Sequence, residues 1–237
     1  MGMRFKDRPE AGRRLAEALP QLRERPDAIV LGLARGGVPV AAAAASELYL
    51  PFGAVLVRKL GIPGRDETAF GALAWSGGDV LRIINRPLRE LILARGIPQS
   101  ALDTVEAHER SELLRRATEY PGTSHDLRGK TVVLADDGLA TGATMRAAVE
   151  AVRAGGAKTV IAAVPVASLE ASSSLARVCD IVMALHTPGK FHAVGAFYQH
   201  FEQLTDEDVM DLLKGAAAKG QSQQLRPRVG PTSGGGS

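Results

Sequence analysis

The chain has 237 residues, of which 45% are hydrophobic and 23% charged, and its formal net charge is +3. This composition is ordinary for a globular protein, and the length suffices for one large domain or two small ones with a core that needs no disulfides. The small, dispersed charge excess argues against a nucleic-acid-binding protein, and the lack of a long apolar run argues against a membrane protein. The first residues also lack the apolar core of a signal peptide, so we expect a soluble cytoplasmic protein.

The first half of the chain alternates helix-like and strand-like segments. Amphipathic spacing predicts a helix over residues 13–22, and the Ala-rich segment 37–48 predicts a second helix. Short apolar runs predict buried strands over residues 27–34 and 52–60. "FGALAW" and "DVLRIIN", joined by "SGG", predict a hairpin, and a charged helical region follows over roughly 88–120.

The second half repeats a strand-then-helix order. Strands are predicted over residues 130–137, 158–167 and 179–187, with helices over 143–156 and 168–178, the latter capped by Ser168. The single cysteine, Cys179, lies in an apolar run and is predicted to be a buried structural thiol. This order predicts an α/β fold with a doubly wound, mainly parallel sheet covered on both faces. "TDEDVMDLLKGAAA" predicts a C-terminal helix capped by Thr205, and from Gly220 onward the chain has little to bury.

The segment "VVLADDGLATGAT" ends a strand with two acids, Asp136 and Asp137, and continues into a glycine-rich turn before a helix. Free N–H groups and the positive dipole end at a helix N-terminus favour an anion, and Thr141 and Thr144 add hydroxyl donors. Two carboxylates beside a phosphate cradle indicate a sugar phosphate. The alternative is a capped helix after a strand with solvated acids.

Two further segments follow predicted strands and so are expected at the carboxyl edge of the sheet, where ligands bind in open α/β folds. "LARGGVPVA" offers Arg35 with Gly36 and Gly37, which suits an anion-binding turn or simply a tight strand–helix turn. "VRKLGIPGRDETAFG" places the charges of Arg58 and Lys59 before a Gly- and Pro-containing loop that is either a closing lid or a surface turn.

Taken together, the three segments resemble those of the type I phosphoribosyltransferases. "VVLADDGLATGAT" is similar to that family's signature for phosphoribosyl pyrophosphate (PRPP), "LARGGVPVA" to its pyrophosphate loop, and "VRKLGIPG" to its mobile catalytic loop. The chain also resembles uncharacterised bacterial members that share "VRK.G.PG" and a late "AVGA.Y" before "TDEDV". The resemblance implies a phosphoribosyltransferase domain over 1–214, with a core at about 27–185, a helical insertion at about 87–120 and a hood at about 186–203. Residues 215–237 would be a disordered tail or a linker.

The resemblance also implies a role for each matching residue. Asp136 and Asp137 would bind the ribose hydroxyls, and a magnesium ion would be held by PRPP and water with these two acids as candidate ligands. The 5′-phosphate would lie on Ala140, Thr141, Gly142, Ala143 and Thr144. Pyrophosphate would be held by Arg35, Gly36 and Gly37, with help from Arg58 or Lys59. One branch of the family places a proton-transferring Asp where this chain has Ala140, and the "LATG" form is more similar to the branch that uses a mobile-loop glutamate, here Glu67.

The acceptor of the ribose phosphate would lie under the hood, "HTPGKFHAVGAFYQHF". Phe191 could stack on a planar base and the backbone at Val194 could read its edge, whereas Phe197, Tyr198 and Phe201 are expected to pack the hood itself. The segment holds no matched set of polar groups that selects a purine, a pyrimidine or another amine. We expect a homo-oligomer, a dimer, with the helical region at 88–120 either forming the interface or shaping the entrance.

The sequence therefore predicts a transferase of nucleotide metabolism that moves 5-phosphoribosyl from PRPP to an unidentified acceptor, such as a nitrogenous base, and releases pyrophosphate. Two alternatives stay open. One is a PRPP-sensing regulator that acts through a partner, and the other is a hydrolase of ribose phosphates that uses the same site.

Overall fold

The computed structural model describes residues 3–76 and 78–224, without the side chains of residues 65–67, 76 and 216–224. Its central feature is a five-stranded, wholly parallel sheet in the order β2-β1-β6-β7-β8. The strands are β1 (Ala28–Leu33), β2 (Phe52–Val55), β6 (Thr131–Ala135), β7 (Thr159–Val166) and β8 (Ile181–His186). β1 and β6 are buried along their whole length, as expected for apolar runs covered on both faces.

Helices cover both faces of this sheet, which confirms the doubly wound arrangement. On one face α1 (Arg8–Glu17) and α2 (Gly37–Leu48) bury Leu15 and Val40 against Val30 and Val133. On the other face α5 (Ala143–Ala154) and α6 (Leu169–Leu175) pack against the alternate residues of the same strands, such as Val132. Ser168 caps α6 as predicted by accepting a hydrogen bond from the N–H of Ala171 at 3.0 Å.

The predicted strand over 52–60 is in fact two strands in two different sheets. β2 ends at Val55, and after Leu56 the chain enters β3 (Val57–Ile62), which pairs in an antiparallel sheet with β4 (Arg65–Ser76) and β5 (Asp79–Ile84). Arg58 and Lys59 explain the break, because a strand covered on both faces of a parallel sheet cannot leave two adjacent charged side chains without water or partners. The predicted hairpin is confirmed as β4 and β5.

The helical region is likewise divided, into α3 (Arg86–Ala94) and α4 (Gln99–Glu119). Gly96, with a φ of +89°, makes the turn between them. α4 covers the antiparallel sheet with Leu102 and Leu113, and the C-terminal helix α7 (Asp206–Gln224) joins the same cluster through Val209.

Both ends of the domain differ somewhat from the predicted boundaries. α1 begins at Arg8 rather than residue 13 because Asp7 caps it, and it ends before Pro20, which opens a short 3-10 turn. Thr205 caps α7 as predicted, accepting from the N–H of Asp208 at 3.1 Å. α7 continues to Gln224, past residue 215 where the tail was predicted to begin, and residues 225–237 lie outside the described part.

Cys179 is buried as predicted. None of the described helices is long and apolar enough to cross a membrane.

Candidate active site

The two acids lie at the carboxyl edge of the parallel sheet, directly beyond β6. Gly32 of β1 is in register with Ala135 of β6, so the turn after β1 and the acids after β6 emerge side by side. Together they form one cavity. Its lining residues are Arg8, Leu33, Ala34, Arg35, Gly36, Asp136, Asp137, Thr144 and the segment 201–204. The predicted pyrophosphate turn and the predicted ribose-binding acids therefore share a cavity, which we call the acid cavity.

Two glycines allow this close approach. A Cβ atom on Gly36 would lie 2.2 Å from Oδ2 of Asp137, and one on Gly37 would lie 2.3 Å from the carbonyl oxygen of Ala135. No side chain fits at either position without moving the acids or the strand. The peptide bond between Ala34 and Arg35 in this turn is cis. The two glycines are therefore needed because no side chain fits between the two loops. The sequence prediction had rested instead on the conformational freedom of glycine.

Arg8, which the sequence did not single out, holds Asp137 in place. Its Nε donates to Oδ2 of Asp137 at 2.9 Å, its Nη1 donates to the carbonyl of Glu202 at 2.9 Å, and its guanidinium lies 3.9 Å above the centre of the Phe201 ring. Only 9% of Arg8 is exposed. From the hood, the Tyr198 hydroxyl donates to the main-chain carbonyl of Asp137 at 2.6 Å. Asp137 is therefore held in place by Arg8 of α1 and by Tyr198 of the hood.

The acids differ in charge environment. Burial raises the pKa of Asp136 well above its usual range, and the neighbouring Asp137 carboxylate raises this pKa further. Burial also raises the pKa of Asp137, but the Arg8 guanidinium opposes that rise. Asp137 thus has the Arg8 guanidinium beside it, and a ligand that brings cations or hydroxyl donors to Asp136 would favour the ionised form of that carboxyl.

The loop after the acids leads into the N-terminus of α5. Gly142 stands at the N-cap with a φ of +73°, and no side chain caps the helix there, so its positive dipole end faces the loop. The Ser168 hydroxyl, at the N-terminus of α6, donates to the carbonyl of Ala140 at 2.7 Å and holds the loop in place. Thr144 lines the acid cavity, whereas Thr141 and Ala143 line a second cleft. The predicted phosphate loop thus contributes residues to two cavities.

The predicted mobile loop is mostly strand, because β3 holds Arg58 and Lys59 and β4 begins at Arg65, before Asp66 and Glu67. The alternation of β3 separates its two cationic side chains. Arg58 faces α4, where its Nε donates to Glu109 at 2.6 Å. Lys59 points the other way and lines the second cleft beside Thr141. The structure therefore brings Lys59, and not Arg58, next to the phosphate loop. The backbone of Glu67 is part of β4, but its side chain lies outside the described part of the structure.

The hood contributes a different segment to the acid cavity from the one predicted. Phe191 lies in a ring cluster, with its centroid 5.5 Å from that of Phe197, and it is not among the residues that line the acid cavity. A Cβ atom on Gly138 would lie 2.6 Å from Cγ1 of Val194, so this part of the hood packs closely on the phosphate loop. Tyr198 is buried against Phe5, as expected for a hood-packing residue.

Arg35 has a charged neighbour that the sequence reading also missed. Its Nη1 lies 3.7 Å from Oδ1 of Asp206, the first residue of α7. Asp206 in turn accepts hydrogen bonds from the Tyr120 hydroxyl at 2.6 Å and from Arg115 at 2.8 Å. These contacts connect the turn after β1 to α4 and α7. The "TDEDV" segment therefore positions a residue of the acid cavity, in addition to starting a helix.

Comparison with known proteins identifies relatives over most of the chain. The family model described as "Phosphoribosyl transferase domain" matches residues 4–184. The Mycobacterium tuberculosis protein named "Putative phosphoribosyl transferase Rv0571c" is 41% identical over 211 residues, which are 88% of this chain and 46% of that protein. The chain thus spans about half the length of that curated relative. The crystal structure of TT1426 from Thermus thermophilus is similar with a TM-score of 0.73 and 42% identity, covering 89% of this chain and 98% of that one.

Proposed function

Because the chain belongs to the phosphoribosyltransferase family, we propose that it transfers the 5-phosphoribosyl group of PRPP to a nitrogen nucleophile and releases pyrophosphate. One observation carries this proposal. The acid pair after β6, the Arg35 turn after β1 and the N-terminal turn of α5 meet around one cavity at the carboxyl edge of the sheet.

Each wall of the acid cavity suits one part of the donor. The carboxylates of Asp136 and Asp137 would accept hydrogen bonds from the ribose 2′ and 3′ hydroxyls. The N–H groups and hydroxyls of residues 140–144, which extend from the acid cavity to the second cleft, would bind the 5′-phosphate at the helix N-terminus. Arg35, with the exposed backbone of Gly36 and Gly37, would bind the pyrophosphate group.

The chemistry would be a displacement at the anomeric carbon of the ribose. The acceptor nitrogen forms the new bond to that carbon as the bond to pyrophosphate breaks and its electron pair leaves with the pyrophosphate. Positive charge on the sugar in the transition state is stabilised by the adjacent carboxylates, and Arg35 stabilises the leaving group. Holding the donor on three sides fixes the anomeric carbon for attack.

The residues around the acid cavity fit a magnesium ion that arrives with the donor. Asp136 and Asp137 supply carboxylate oxygens, and no cluster of three or more metal-binding side chains occurs among the described residues, so the phosphates and water would complete its coordination. When bound, magnesium would neutralise charge on the leaving pyrophosphate. The protein's part is to place the two carboxylates, and the Arg8 guanidinium both positions Asp137 and opposes the rise in its pKa.

Proton transfer and acceptor binding complete the proposed reaction. Ala140 offers no acid, so we assign proton transfer to Glu67 and charge stabilisation to Lys59, in preference to Arg58 with its Glu109 partner. Because Phe191 packs within the hood, the acceptor is expected in the acid cavity, beside segment 201–204. Val194 packs against Gly138 and would shape the acceptor site through the phosphate loop.

The test is pyrophosphate release from Mg-PRPP across a panel of nucleobases and other amines. We expect release that requires one class of acceptor and is lost in a variant with Asp136→Asn and Asp137→Asn. Equal release without any acceptor would instead identify a hydrolase. Binding of Mg-PRPP with no release for any acceptor would contradict the transferase proposal and favour a PRPP-sensing role.

A further inference from the structure

The five-stranded parallel sheet has two edges, and the described chain covers only one of them. At the β2 edge, the N–H of Ala54 donates to the carbonyl of Gly122 at 3.0 Å, and His125 packs so closely on Gly53 that no Cβ fits there. At the other edge, β8 pairs with β7 on one side, and no strand in the described part of the chain pairs with its other side. A row of outward main-chain groups on β8 can therefore pair with another strand.

The open β8 edge also lacks the features with which proteins keep such edges apart. Lysine side chains and prolines on the strand usually block pairing between molecules. The strand reads "IVMALH", with no charged residue, glycine or proline between Asp180 and His186. Every residue of β8 is partly or well exposed, whereas β1 and β6 are buried along their whole length. β8 therefore has the sequence of an interior strand at the position of an edge strand.

Large exposed apolar side chains lie at both ends of this edge. Ile181, at the start of β8, is 42% exposed, and Leu169, at the start of α6, is 59% exposed. Leu169 lies near the other end of β8, because the N–H of Ala167 donates to the carbonyl of His186 at 3.0 Å. Removing this apolar surface from water would favour association along the whole strand.

The β8 strand is complementary to a second copy of itself. In an antiparallel pairing about a two-fold axis at Met183, Ile181 lies opposite Leu185 of the second copy, and Asp180 lies opposite its His186. Apolar side chains then meet apolar side chains, and each carboxylate meets an imidazole. The Asp180 side chain is 43% exposed beside its own Arg153, so it can accept a further hydrogen bond. A parallel, in-register pairing would instead place the two Asp180 carboxylates side by side, which is unfavourable.

We propose that β8 is the subunit interface of a homodimer, in which two β8 strands pair antiparallel about Met183 and join two five-stranded sheets into one continuous sheet. The helical region at 88–120, the other surface expected from the sequence, would then stay outside this contact. β8 leads directly into the hood, where the Tyr198 hydroxyl donates to the main-chain carbonyl of Asp137. Pairing would thus fix the strand from which the hood extends in each subunit.

Sedimentation equilibrium of the full chain without any ligand tests this proposal, so its outcome is independent of the transferase proposal. We expect the wild type to have twice the mass of the 24.9 kDa chain. Ile181→Lys should raise the dimer dissociation constant by about tenfold or more, because it places a charge against Leu185 of the second copy. Leu169→Lys, at the other end of the edge, should act in the same direction. The matched control is Leu114→Lys on α4, whose leucine is 41% exposed, and it should leave the dimer intact.

Cross-linking tests the register of the two strands. In a Cys179→Ser background, Met183→Cys should be joined between copies by a short bifunctional thiol reagent, since directly opposite residues have Cβ atoms about 4.5–5.5 Å apart. Leu114→Cys in the same background should not be joined. Circular dichroism checks that every variant keeps its fold.

A monomeric wild type would overturn the inference, as would a dimer that neither Ile181→Lys nor Leu169→Lys weakens. Dissociation by Leu114→Lys, or cross-linking of Leu114→Cys in place of Met183→Cys, would move the interface to the helical region. A dimer that is lost in a chain ending at Gln224 would assign the contact to residues 225–237, against the proposal.

Discussion

Replacing Arg8 with Ala should destabilise the protein strongly, because it leaves Asp137 buried without its cation. The ion pair is short, at 2.9 Å, and its side chains are only 10% and 15% exposed. Removing one partner of a buried pair costs about 3–5 kcal/mol, and proton uptake by Asp137 relieves part of this, so we expect a loss of about 3 kcal/mol near neutral pH. At roughly 2–4 °C per kcal/mol for a domain of this size, Tm should fall by about 6–12 °C.

Thermal unfolding as a function of pH distinguishes this mechanism from a general packing defect. The wild-type protein keeps the charge pair only while Asp137 is ionised, so the difference in Tm should shrink as pH falls through the pKa of Asp137. The matched control is Arg14→Ala on the same helix, whose surface pair with Glu10 should contribute only about 0–1 kcal/mol. Equal losses for the two variants, or an Arg8→Ala deficit that stays constant from neutral to acidic pH, would refute the reasoning.

Three further changes probe the acid cavity. Gly36→Ala should weaken Mg-PRPP binding measured by calorimetry and cost about 1–3 kcal/mol of stability, because its Cβ would lie 2.2 Å from Asp137 Oδ2. Gly189→Ala, with no atom within 4 Å, is its control, and equal effects of both would contradict the steric account. Asp136→Asn should raise Tm near neutral pH, because the raised pKa of Asp136 makes its ionisation in the folded state unfavourable. That gain should disappear below the usual carboxyl pKa, where Asp136 is protonated in both states, and a gain that persists in acid would argue against it. Tyr198→Phe should lower the free energy of unfolding in denaturant titration by about 1–2 kcal/mol by leaving the Asp137 carbonyl without its donor, and an unchanged value would contradict that role.

The parallel sheet and the acid cavity were largely predictable from local patterns. Strands such as β6 are continuous apolar runs, and only the carboxyl edge of such a sheet brings the ends of β1 and β6 together. The order of strands and helices therefore sufficed to place Arg35 near Asp136. The split of residues 52–62 into two strands was missed because Leu56 continues the apolar run, although Arg58 and Lys59 carried a signal that the strand was leaving the sheet.

The contacts that position the acids were not predictable in the same way. Arg8 and Asp137 are 129 residues apart, and nothing local to "KDRPEAG" indicates that its arginine will be buried. Asp206 carried a stronger local signal as an acid in the first turn of a helix, which concealed its contact with Arg35. Phe191 was selected as an aromatic in a hood, but whether such a ring faces a ligand or another ring depends on packing, here against Phe197. These roles are set by tertiary contacts, which the order of elements does not specify.

The measurement that tests the central claim most directly is calorimetric titration of the wild-type protein and the variant with Asp136→Asn and Asp137→Asn with Mg-PRPP. The wild type should bind saturably, and the variant should keep its fold, judged by circular dichroism, while losing binding by at least about a hundredfold, since several charge-assisted contacts are removed together. Failure of the wild type to bind Mg-PRPP, or wild-type affinity in the folded variant, would contradict the assignment of this cavity to the donor.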